Sequence, residues 1–362
     1  MHKVLIWMST SSHHQTGFFN ALRQSGRVDL GVRYDHPLSE RRTLLGWHEV
    51  GDLPEGERYV EKPVDLEASV PDWRERIHVI PGARAPVAGA VLRQIIRAGS
   101  RWVHWSECRR HGLRRIAGMP RWMRYARQIT RTALGAFAIG DFARSDLRKL
   151  GVPIERIAFL PYTCDGLDPA APCDETIKDF ANGRRLFLFC GALCKRKAPD
   201  VLLRSYAELQ TTDWVLALVG PDVSGGKHRR LAETLGIAER VLFRGTMPAD
   251  KIANVIQAAD VMILPSREDG WGVVLNEAAS LGRALIASDC VGAGPHMIRS
   301  GENGYIVRAA DPGSLANAMR AYVKMPQLAQ QHGAASSRIF EAFTPQRNAQ
   351  RFITALEGWL GM

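Results

Sequence analysis

The sequence has no apolar run near the roughly 18 residues needed to span a bilayer. The strand-like stretch at residues 3–8 is too short for a signal-peptide core. The chain is therefore expected in the cytoplasm, attached to the inner face of a membrane at most peripherally. Cysteine is sparse: six residues are scattered without a CxxC pair, which argues for reduced thiols and against a zinc site. No internal repeat or low-complexity tract occurs. No Gly-x-Gly-x-x-Gly follows the first strand pattern, so a dinucleotide-binding protein of that type is disfavoured.

What is present is globular. Of the 362 residues, 46% are hydrophobic and 23% charged, enough for two domains with separate cores. The net charge is +11. Acids nearly vanish between Arg101 and Arg131, where nine arginines stand against Glu107 alone, interleaved with Trp102, Trp105, Trp122 and Tyr125. Basic residues mixed with interfacial aromatics suit an anionic membrane surface or an acidic lipid-diphosphate. Arg109, Arg110, Arg114 and Arg115, with Trp105 or Trp122, are the expected contacts. Nucleic acid is the weaker alternative.

The stretch that organises the chain is residues 264–277, LPSREDGWGVVLNE. A buried-type strand, 260–264, enters a glycine-bearing loop, and the loop opens a helix at about 273–281 that Gly282 closes. Free amides at such a helix start favour an anion. Asp269, in the loop, and Glu277, about one turn into the helix, flank that position, and the residues from Val273 to Glu277 rise only about 7 Å. Sugar hydroxyls, a diphosphate and ribose hydroxyls would suit the acid, the amides and the second acid in turn. A second buried strand, 284–288, ends in the small-residue loop Asp289-Cys290-Val291-Gly292-Ala293-Gly294, as at the ligand edge of a parallel sheet.

On these residues the chain resembles the retaining glycosyltransferases of the GT-B fold, family 4 type, also called group 1. Their signature is an acid, Gly, an aromatic, Gly and then Glu, with seven residues between the acids; Asp269, Gly270, Trp271, Gly272 and Glu277 follow it. Asp269 stands where Glu is usual, and Glu268 is adjacent. The resemblance implies two Rossmann-like open parallel-sheet domains facing a cleft. The expected division is a first domain over 1–165, a linker over 166–182, a nucleotide-sugar domain over 183–342, and a terminal helix, 343–362, crossing back.

The same resemblance assigns the donor contacts. Lys197 matches the family's diphosphate lysine; Ala192 replaces an expected arginine after Gly191, and Arg196 is the candidate substitute. Thr246 and Met247 lie near the expected base, Val273 and Val274 complete the amide turn, and His296 occupies a position where the family carries an acid. In the first domain, His13, His14, Gln15 and Gly17 fall in an expected polar loop after the first strand. His104 and Glu107 mark the end of a strand at 101–105; alternation turns the two to opposite faces, so only one is expected to reach the site, and Glu107 is preferred because it is nearer the carboxyl end.

The resemblance further implies transfer of a hexosyl group from a nucleotide sugar to an acceptor hydroxyl with retention, in polysaccharide or glycolipid synthesis. The catalytic candidates are Asp269, Glu107, His104 and Lys197. The acceptor is a sugar or lipid-linked sugar, and no cofactor or essential metal is expected. A GT-B epimerase, a sugar phosphorylase or a non-catalytic nucleotide-binding protein are the alternatives.

Overall fold

The computed structural model describes residues 1–39, 43, 53–60, 64–82, 86–109 and 118–362. They form two compact units: one takes in Met1–Ser39, the described residues from 53 to 163 and Pro345–Met362; the other takes in Cys164–Thr344.

The first unit is built on a seven-stranded sheet. In chain order its strands are β1 (His2–Met8), β2 (Val28–Tyr34), β3 (Glu57–Tyr59), β4 (Ile77–Ile80), β5 (Trp102–Ser106), β6 (Ala136–Ala138) and β7 (Ile157–Phe159), and their spatial order is β3-β2-β1-β4-β5-β6-β7. All pairings are parallel. Parallel strands are covered by helices on both faces, which is why Val4–Trp7 reads as a continuous apolar run and is buried throughout.

The helix Pro345–Leu360 belongs to this unit. Phe352 stacks on Phe137 with centroids 4.9 Å apart, and Asn348 Nδ2 donates to the Pro161 carbonyl at 2.8 Å. Trp359 lies against Gly135, where a Cβ would come within 2.3 Å of the indole. The missing side chain at Gly135 thus makes room for the helix.

The second unit holds a six-stranded sheet of β8 (Arg185–Cys190), β9 (Trp214–Val219), β10 (Val241–Gly245), β11 (Val261–Leu264), β12 (Ala284–Ser288) and β13 (Gly304–Val307), ordered β10-β9-β8-β11-β12-β13. These pairings are parallel as well. A core on one face of the sheet joins Phe187, Leu216, Val261 and Ile286 to the helices Pro199–Ala207 and Pro312–Lys324, with Phe187 stacked on Trp214 at 4.3 Å.

Two expectations change here. The span 166–182, read as a linker, contains the helix Glu175–Ala181. Asp174 caps it by accepting from the Ile177 amide and is held by Arg244 at 3.1 and 3.2 Å. The arginine-rich segment also differs. Arg109 is buried, with Nε and Nη2 each 2.6 Å from the Asp146 carboxylate, and Trp105 is buried too. An arginine whose charge is neutralised inside the protein cannot dock on a membrane. Arg110, Arg114 and Arg115 lie outside the described residues. Among the described residues, no helix is long and apolar enough to cross a membrane.

Candidate functional site

In the second sheet the chain order reverses between β8 and β11, which lie side by side. Loops leaving two such strands diverge and open a crevice at their carboxyl ends. Arg267 ties the two loops together. Its amide donates to the Arg196 carbonyl at 2.8 Å, and its guanidinium bonds to Asp200 at 2.8 and 2.7 Å and to the Lys195 carbonyl at 2.9 Å.

This clip brings the expected residues together. Lys197 Nζ lies 2.6 Å from Asp269 Oδ2, with both side chains largely buried. Arg196 Nη1 is 3.0 Å from the Glu268 carbonyl and 3.7 Å from Asp269 Oδ1, and remains half exposed. At Gly191 a Cβ would touch the Lys197 stem only at ordinary contact distance, 3.7 Å. Gly220 is pressed harder, since its Cβ would fall 2.2 Å from the Gly191 carbonyl oxygen.

The loop after β11 is held as an extension of the sheet. The Asp269 amide donates to the Cys290 carbonyl at 3.0 Å, Gly292 N–H to the Asp269 carbonyl at 3.0 Å, and Ala293 N–H to the Trp271 carbonyl at 2.8 Å. Gly272 turns the chain with φ +95°, a conformation that disfavours other residues. Trp271 is buried, donates Nε1–H to Asn276 Oδ1 at 3.0 Å and lies nearly parallel to the His296 ring, centroids 5.5 Å apart. His296 therefore backs the loop from the position where the sequence departs from the family.

The helix that follows spans Val274–Ser280, with Leu281 at its C-cap and Gly282 beyond it at φ +66°. The amides of Leu275, Asn276 and Glu277 return to the Gly272 and Val273 carbonyls. An anion would thus meet the amides of the turn before them. Glu277 is half-buried, and removal from water pushes its carboxyl up to about 7. Burial raises the thiols of Cys164 and Cys190, the latter to about 12, and the nearby Glu277 charge lifts both further. Thr246 and Met247 follow β10, exposed and half-buried respectively.

Residues 174–338 match the family model described as "Glycosyl transferases group 1". That match takes in most of the second unit. A D-inositol 3-phosphate glycosyltransferase of Streptomyces scabiei is 34% identical over 167 residues, 43% of this chain and 37% of its own length. One of Nocardia farcinica is 36% identical over 192 residues, 49% of this chain and 42% of its own length. The chain thus spans about two fifths of the curated relatives it matches. Solved structures extend the likeness to the whole chain. A glycosyltransferase of Rickettsia africae superposes with TM-score 0.76 at 14% identity over 99% of both chains. Anabaena HepE, solved with UDP, superposes with TM-score 0.77 at 16% identity over 98% of this chain and 100% of its own. At such identities the likeness speaks for the fold, and the fold is GT-B.

Of the candidate residues in the first unit, those after β1 are placed differently from the expectation. His13, His14, Gln15 and Gly17 are not in a loop: the helix His13–Gln24 begins at once after Ser12, and Gln15 N–H donates to the Ser12 carbonyl at 2.9 Å. Gln15 is buried, His14 half-buried, and the His13 side chain lies outside the described residues. His104 is fully enclosed, with Nδ1 3.1 Å from Tyr125 Oη and Nε2 2.7 Å from Ser106 Oγ. Burial pushes its imidazole down to about 3, so it is neutral at any working pH. Glu107 is exposed just past β5. Ser106, which carries the contact outward from His104, was not singled out by the sequence; a lone serine at a strand end gives no signal.

Proposed function

We propose that this chain transfers a sugar from a nucleotide-sugar donor to an acceptor hydroxyl with retention, in the assembly of a polysaccharide or glycolipid. The observation that carries the proposal is the Lys197–Asp269 pair at the β8/β11 reversal, adjoining the glycine turn and Glu277. Cleaving a glycosyl–phosphate bond places negative charge on the leaving diphosphate and positive character on the sugar. Lys197, Arg196 and the turn amides meet the first need, because fixed positive charge and oriented N–H groups stabilise an anion without reorganising. Asp269 takes sugar hydroxyls, and Glu277 takes the ribose hydroxyls. Anabaena HepE has been solved with UDP-glucose on the same fold, which supports a nucleotide sugar here.

Acceptor attack comes from the face the diphosphate leaves, and a departing phosphate oxygen takes the acceptor proton. No metal and no cofactor is assigned a part. The test is proton NMR of the sugar released when the protein is incubated with UDP-, GDP- and ADP-hexoses. The first-formed anomer should keep the donor configuration. Appearance of the opposite anomer would exclude the retaining reading, and a free epimerised nucleotide sugar would turn the assignment toward an epimerase.

A further inference from the structure

The helix Met119–Thr132 contains Arg121, Arg124, Arg127 and Arg131 and no acid. At 100° per residue these four share one side of the helix. Tyr125, Ala126 and Ile129 are buried on the other side. None of the four guanidinium groups enters a salt bridge or side-chain hydrogen bond among the described residues, and all four are exposed. Neighbouring arginines behave otherwise. Arg109 is spent on Asp146, and Arg156 is spent on the carbonyls of Thr130, Ala133 and Leu134.

The presentation is rigid. Arg109 lies 5.6 Å over the Trp122 ring, and Tyr125 is held against His104, so the inner face of the helix is fixed while the outer one is bare. The outer face is not purely charged. Met123, 42% exposed, and Pro120, exposed, stand at its amino end. At the other end Arg127, Thr130 and Arg131 meet Leu150 and Gly151 across a groove of about 220 Å³.

We propose that this helix face docks the first unit on an anionic lipid bilayer, with lipid phosphates at Arg127 and Arg131 and with Met123 entering the headgroup boundary. An amphipathic helix with arginines above an apolar residue binds in this way by combining charge attraction with shallow insertion. Single-stranded nucleic acid would call for exposed aromatic rings on which bases stack. Here Tyr125 is buried and Trp122 half-buried beneath Arg109, so the face offers charge without a stacking platform. The surface differs from the one centred on Arg109, and it stands independently of the sugar chemistry proposed above.

The test is co-sedimentation of the full chain with vesicles of pure phosphatidylcholine or of phosphatidylcholine with one third phosphatidylserine. Binding should be at least tenfold tighter to the acidic vesicles. It should fall at least tenfold between 0.1 and 0.5 M salt, since screening weakens attraction between exposed charges. A variant carrying Glu at 121, 124, 127 and 131 should lose it. Because the salt titration uses the unaltered protein, it decides the matter even if that variant folds poorly. Equal binding to both vesicles, no binding to either, insensitivity to salt, or tighter binding to a single-stranded oligonucleotide than to acidic vesicles would overturn the proposal.

Discussion

Gly292 lies against Gly270 so closely that a Cβ on Gly292 would fall 2.1 Å from the Gly270 carbonyl oxygen. The contact is backbone on both sides, so neither can yield without moving the loop that holds Asp269 and Trp271. Gly292→Ala should cost about 1–3 kcal/mol of stability by overpacking and weaken nucleotide binding at least tenfold. Gly358 is the control: a Cβ there meets nothing within 4 Å in the helix Pro345–Leu360. Gly358→Ala should be neutral or stabilising by up to about 1 kcal/mol. Chemical denaturation and calorimetry read both effects. Normal nucleotide affinity in Gly292→Ala would show that the loop position does not matter.

Lys197 and Lys195 stand two residues apart in one loop and should differ sharply. Lys197 Nζ is on Asp269, whereas Lys195 is exposed and contributes its carbonyl to Arg267. Lys197→Ala should lower turnover by about 10²–10³, the usual loss for one donor to a developing anion. Lys195→Ala should change it less than about threefold, within the small effect of a screened surface charge. Comparable losses in steady-state kinetics would mean that the Lys197–Asp269 pair is only structural.

The juxtaposition of Lys197 with Asp269 was legible because its signals are contiguous. Asp269, the glycines and Glu277 lie within one loop and one short helix, and Lys197 follows its strand directly. The apolar run at Ala284–Ser288 has the bounds the sequence suggests, since a strand buried on both faces leaves no polar alternation to blur its ends. What was not legible depends on distant partners. Arg109 is buried by Asp146, 37 residues away, and Asp174 is fixed by Arg244, 70 residues away. Charge density alone could not separate a spent arginine from a free one. Ser12 caps its helix without a side-chain hydrogen bond, so a serine-rich run concealed a helix start.

Nucleotide binding should depend on pH through Glu277. Burial raises its carboxyl to about 7, and the ionised form, with both oxygens free and charged, accepts hydrogen bonds from two ribose hydroxyls more strongly than the protonated acid does. Affinity should therefore rise through about pH 7 and fall by at most about tenfold per unit below it. Stability runs the other way. A carboxyl whose folded value is raised holds its proton more tightly when folded, so its contribution is lost as pH rises from 4.5 toward 7. Glu277→Gln should flatten both profiles and weaken binding, and calorimetry across pH 5–9 checks this. A binding profile that leaves affinity flat across pH 7 in the parent protein would remove Glu277 from the nucleotide contact.

Arg109 and Asp146 should stabilise the first unit only as a pair. Their side chains are 5% and 7% exposed, so Arg109→Ala leaves a carboxylate buried without its cation. The loss should be about 3–5 kcal/mol, while Arg109→Met with Asp146→Leu should recover most of it. Urea denaturation distinguishes these outcomes. A single variant within about 0.5 kcal/mol of the parent would contradict the buried pair.

The most direct measurement is thermal stability of the parent and of Glu277→Ala with UDP-, GDP- and ADP-sugars at millimolar concentration. A ligand at 100 times its dissociation constant stabilises a protein by about 2.7 kcal/mol, readily seen as a rise in melting temperature. At least one nucleotide sugar should raise the melting temperature of the parent. The rise should be largely lost in Glu277→Ala, whose unliganded melting temperature stays near the parent's. No shift with any donor, or an equal shift in both proteins, would contradict a nucleotide-sugar site built on Lys197, Asp269 and Glu277.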